Sequence, residues 1–131
     1  MLPKKYRLPA KNFQRVYKNG TKVRGRYGML VFSKNEENNR NLNTPSAFIN
    51  KNPRFGFVVS KKIGNAVVRH RFTRILRNIS LEAIRDFKLN GNPIQIQYVA
   101  FEFCDDYSTV KEEFYKQMEF IFKWWKIFFY I

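Results

Sequence analysis

The sequence predicts an α/β (α+β) two-layer sandwich, with helices flanking a mixed sheet of about four strands in the order αβββαβα. Three observations predict it. Apolar residues recur at helical spacing through residues 66–87. They alternate with polar ones in "IQIQYVAF", residues 94–101. Turn signals built from Gly, Asn and Pro separate these periodic stretches.

Each element has its own local warrant. In "KNFQRVYKNG", Phe13, Val16 and Tyr17 stand at i, i+3, i+4, with Asn12 as a cap and Gly20 as a stop, so a first helix is expected over about residues 12–19. "TKVRGRYGMLVFS", residues 21–33, is rich in β-formers and interrupted at Gly25, which reads as two strands or one bent strand. Residues 34–53, "KNEENNRNLNTPSAFINKNP", read as a long polar surface loop. "RFGFVVS", residues 54–60, reads as a buried strand.

A helix is then expected from about Ala66 to Phe87, with Val68, Phe72, Ile75, Ile79 and Ala83 on its core side. "NGNP" turns the chain into a strand with Ile94, Ile96 and Tyr98 inward and Gln95 and Gln97 outward, the pattern of a half-exposed strand. Thr109 and Glu112 resemble a capping box opening a last helix, in which Met118, Ile121, Trp125 and Phe128 would pack across the sheet. The aromatic end, "FIFKWWKIFFYI", is too short for a bilayer span, which takes about 20 apolar residues. No repeat or linker divides the chain, so residues 1–131 are expected to form a single domain.

Charge narrows the function. The chain of 131 residues has a net charge of +15, which calls for a polyanionic partner, nucleic acid or an anionic membrane surface. Residues 1–77 hold 19 Lys and Arg against Glu36 and Glu37 alone, so the basic surface belongs to the first half. One cysteine, Cys104, excludes an internal disulfide framework, and one histidine, His70, leaves no zinc-ligand spacing. The N-terminus has no apolar stretch behind its charges, so a cytoplasmic location is expected. Cys104 and Met118 read as core or near-core residues, and the adjacent Asp105 and Asp106 do not by their spacing share a face.

The basic residues concentrate in "GNAVVRHRFTRILRN", residues 64–78. Advancing about 100° per residue from Val68 places Arg69, His70, Arg71, Arg74 and Arg77 on the arc opposite the apolar stripe. No acidic residue lies between Arg54 and Arg77 to neutralise them. Like charges held this close repel, and guanidinium forks match phosphate oxygens, so the face reads as a phosphate grip. Lys61, Lys62 and the Gly64-Asn65 pair lead into the helix N-terminus, where backbone N–H groups and the macrodipole favour an anion. The spacing of a Walker-type phosphate loop is absent.

"RFGFVVSKKIGNAVVRHRFTRILRN" closely resembles the signature segment of the bacterial ribonuclease P protein component. "YRLPAKNFQRVYKNGTKVRGR" is similar to that family's first helix and following strand, so the resemblance covers about residues 5–103. It implies a protein subunit of an RNA-based endoribonuclease that removes the 5′ leader of precursor tRNA. The implied partners are the catalytic RNA subunit and precursor tRNA, with no DNA and no membrane spanning. It implies no tightly bound cofactor on the protein, magnesium serving the RNA-based catalysis, and a left-handed βαβ crossover between the third and fourth strands.

By position, Arg69 and Arg71 match the two arginines of the family's R-N-R, and Arg74 and Arg77 match basic residues of the following turns. His70 stands where the family usually has asparagine, and Thr73 where lysine is common. The family's leader cleft maps onto Phe13, Tyr17 and Val31, with Met29 and Tyr27 on the same pleat face to compensate for the missing strand aromatic. Stacking of bases on such rings in an electropositive groove contributes about 1–3 kcal/mol per base.

No Ser-His-Asp, Cys-His or paired-carboxylate arrangement is visible, which assigns the hydrolysis to RNA. Two other readings remain open on residues alone. A ribosomal or general RNA-binding protein shares the basic α/β character. A metal-dependent nuclease is disfavoured by the lack of carboxylates in the basic half.

Overall fold

The computed structural model describes residues 2–34 and 52–130, with side chains described as far as Lys123. The expectations for the interior of the 34–53 loop and for the packing of Trp125 and Phe128 lie outside these residues. Helix α1 spans Ala10–Asn19, strand β1 Thr21–Arg24, β2 Gly28–Lys34 and β3 Arg54–Val58. After a 3-10 turn at Lys61–Ile63 come helix α2, Ala66–Asp86, strand β4, Ile94–Ala100, and helix α3, Tyr107–Tyr130. The order is the expected αβββαβα.

The sheet runs β1-β2-β4-β3, antiparallel except for the parallel β3–β4 pair. Helix α2 provides the connection that a parallel pair requires. One face packs Leu30, Phe32, Phe55, Ile94, Ile96 and Tyr98 against Phe72, Leu76, Ile79 and Ala83 of α2 and Phe114, Met118 and Ile121 of α3. The two-layer arrangement describes this half. On the other face α1 adds a partial cover, where Leu8, Val16, Met29 and Val31 form a second small core with Phe13 and Val99.

Four local expectations are corrected. Helix α1 opens earlier than Asn12: Pro9 is its cap, and Asn12 is buried one turn inside. Proline has no N–H to leave unpaired at a helix start, and Pro9 sits there in extended backbone, its carbonyl accepting from Asn12 N at 2.9 Å. Strand β4 is not half-exposed. It sits between β2 and β3 with helices on both faces, so Gln95 and Gln97 are buried, and Gln95 Nε2 and Gln97 Oε1 find no hydrogen-bond partner.

The buried stripe of α2 is Phe72, Leu76, Ile79, Ser80, Ala83 and Ile84, rotated from the predicted one, while Val68 and Ile75 remain partly exposed. Packing against α3 as well as the sheet draws Leu76 and Ser80 inward; the Ser80 hydroxyl is satisfied by donating to the Leu76 carbonyl at 2.8 Å. Finally, Asp106 caps α3 in place of Thr109. Its carboxylate accepts from Ser108 N at 3.2 Å and Thr109 Oγ1 at 2.7 Å.

Candidate nucleic-acid interface

Helix α2 begins where the chain turns through Gly64, whose φ of 156° disfavours a side chain and where an added Cβ would stand 2.8 Å from Val68 Cγ1. Asn65 follows as the cap, its Oδ1 accepting from Val68 N at 3.0 Å. Its side chain therefore serves the helix start that points N–H groups outward. Lys61 and Lys62 lie exposed in the turn just before it.

Along the helix His70, Arg71 and Arg74 are exposed and cluster together. Arg69 and Arg77 are half-buried, which corrects the expectation that all five basic side chains project freely into solvent. The rotated stripe brings Arg69 toward the core side, and its Nε is buried without a hydrogen-bond partner. Thr73 donates its hydroxyl to the Arg69 carbonyl at 2.8 Å.

The cluster is not wholly uncompensated. Arg71 Nε lies 2.6 Å from Asp105 Oδ1, an acid supplied by the segment between β4 and α3 rather than by the helix itself. Further along, Glu82 accepts from Tyr107 Oη at 2.6 Å and pairs with Lys111. These bonds, Lys111 first, hold the Glu82 carboxyl below its usual range. Asp86 is likewise lowered, by Tyr115 Oη at 2.7 Å and then by Arg85. The Tyr107 and Tyr115 phenols are raised by burial and by their carboxylate partners.

The second expected surface is only partly open. Tyr17 is 46% exposed, with Lys22 Nζ 4.9 Å from its ring centroid. Phe13 is half-buried and packs so closely on β3 that a Cβ at Gly56 would stand 2.4 Å from Phe13 Cζ. Met29 and Val31 are buried beneath α1, so they form the floor of the cleft and offer no surface to a ligand. Tyr27 packs on the opposite core and its amide donates to Glu113 Oε1 at 3.0 Å, so it does not compensate on the Met29 face.

The sequence reading missed a neighbour of Tyr17 and Lys22: the Arg24 guanidinium lies 5.1 Å from the ring centroid of Phe101, which is 39% exposed. The signal was present, because the β4 alternation extended by one step puts Phe101 on the face of Gln97 and Val99.

Among the described residues no group of three or more His, Cys, Asp and Glu is placed to hold a metal ion. Asp105 and Asp106 are engaged by Arg71 and by the α3 N-terminus. Each of these two carboxylates therefore already has a protein partner. No described helix is long and apolar enough to cross a membrane.

A family model described as Ribonuclease P matches residues 2–120. The ribonuclease P protein component of Micrococcus luteus is 35% identical over 86% of this chain and 85% of its own length. That of Carboxydothermus hydrogenoformans is 32% identical over 83% and 85%. A Staphylococcus aureus RNase P protein structure covers 88% of this chain and 94% of its own at TM-score 0.64 and 24% identity, which speaks for the fold. The Thermotoga maritima RNase P protein covers 84% and 92% at TM-score 0.62 and 22% identity. On the family match and these relatives, the chain belongs to the ribonuclease P protein family.

Proposed function

We propose that this chain is the protein subunit of a ribonucleoprotein in which a catalytic RNA cleaves and the protein positions. Family membership makes it a component of an endoribonuclease of tRNA processing with RNA as partner. The finer reading assigns two RNA surfaces. The ribozyme RNA lies along α2, and the 5′ leader of precursor tRNA lies in the cleft of Tyr17 and Phe13. The observation that carries it is the exposed His70, Arg71 and Arg74 face beside Lys61 and Lys62. Such a face neutralises phosphates and makes affinity fall with salt. We read the chain as one domain working in the cytoplasm.

The chain's own groups supply charge and orientation. Arginine forks hold phosphate oxygens, and the capped start of α2 directs N–H groups at the backbone. Magnesium, when bound, supplies charge stabilisation to the RNA-based reaction, and we assign its ligands to the RNA. The test is reconstitution. Protein freed of RNA should leave precursor tRNA intact, and adding ribonuclease P RNA should restore leader removal. Cleavage by a preparation shown to lack RNA would overturn the proposal.

A further inference from the structure

Beside the basic face α2 carries a concavity of about 470 Å³, bounded on the far side by the segment that leads into α3. Its lining includes Val67, Ile75 and Tyr107 together with Arg71, Asn78 and Asp105. The volume falls within the range of about 300–1,000 Å³ typical of small-ligand sites. Two features do not suit a bare phosphate grip. Val67 is an apolar side chain 76% exposed among cations. Asp105 places a carboxylate against Arg71, where it repels phosphate.

Both features suit the base of a nucleotide whose phosphates lie on the arginines. The geometry points to a seat for one unpaired RNA base, set against Val67 one helical turn before Arg71, with its hydrogen-bonding edge toward Asp105. A carboxylate only accepts hydrogen bonds, so it selects an edge that donates. Guanine offers two adjacent donors, N1–H and N2–H, to one carboxylate. A base in a duplex has that edge occupied, so the occupant is an unstacked nucleotide from a loop, bulge or end. The seat thus adds selection of a nucleotide to a helix that otherwise grips any phosphate backbone.

The inference rests on the proposed RNA contact along α2, and the test separates the two. Affinity of the full chain for ribonuclease P RNA is measured across a salt series for Lys62→Ala, Val67→Ala and Asp105→Ala, with thermal melts to check the fold. Lys62→Ala reports on the phosphate grip and should weaken binding with a shallower salt slope. Val67→Ala and Asp105→Ala should each weaken binding on the order of tenfold, the scale of losing one base contact, with the slope retained. Unchanged binding by Val67→Ala, or tighter binding by Asp105→Ala, overturns the seat while leaving the grip intact. Unchanged binding by Lys62→Ala together with both others overturns the underlying reading as well.

Discussion

Arg71 Nε stands 2.6 Å from Asp105 Oδ1, joining the middle of α2 to the segment that opens α3. Both side chains are more than half exposed, so the pair contributes little to stability, about 0–1 kcal/mol at most. Arg71 can therefore exchange its carboxylate for a phosphate at small cost.

From this exposure, Arg71→Ala and Arg74→Ala should leave circular dichroism and the melting temperature almost unchanged. Each should weaken RNA binding and lower the magnitude of the log–log salt slope by about one. Filter binding at several salt concentrations checks this. Loss of folded signal would instead make the arginines structural.

Asn65 separates helix formation from RNA contact. Asn65→Ala removes the bond to Val68 N and should cost about 0.5–2 kcal/mol of stability. Asn65→Asp keeps a capping oxygen and should fold as well as the parent, yet weaken RNA binding by placing an anion at the head of the basic face. Urea unfolding beside RNA titration reads both effects.

Gly56→Ala would drive a methyl group to 2.4 Å from Phe13 Cζ and 3.0 Å from Leu8 Cδ2. Overpacking of this kind costs about 1–3 kcal/mol. The Phe13 ring lies between this methyl group and α1, so weaker binding of single-stranded leader RNA should accompany the lower melting temperature. An unchanged melting temperature would mean that the Phe13 ring moves freely.

Acid should loosen the α2–α3 seam. The carboxyls of Glu82 and Asp86 titrate below their ordinary values in the folded chain because their partners favour the charged form. Their stabilisation is fully present above the unfolded carboxylate range, near pH 4, and is lost as pH falls through the lowered folded values. Melting temperatures recorded from pH 7 to pH 3 should drop at the acid end. The Glu82→Gln/Asp86→Asn variant should start lower at pH 7 and show a shallower acid limb. Parallel curves for parent and variant would show that these carboxylates do not drive the loss.

Much of this chain can be read from its residues because the signals are local. The periodicity of residues 66–87 determined a helix, four arginines without a nearby acid in sequence determined a basic face, and the interruption at Gly25 left two strands or one bent strand, of which the fold has the two. The family resemblance rested on that same contiguous stretch, and the family match followed it.

What depended on distant partners was decided only in three dimensions. The alternation in β4 shows which side chains oppose one another but not whether a second layer covers them, so the burial of Gln95 and Gln97 followed from α1 and from a central place in the sheet. The core side of α2 turned toward Leu76 because α3 packs there, which drew Arg69 partly inward. Val31 became floor rather than surface because Val16 and its helix lie over it. Asp105 reached Arg71 only through the chain reversal at β4. Sequence determines the faces an element offers, since those follow from backbone period, whereas what each face meets is set by contacts between residues far apart in the chain.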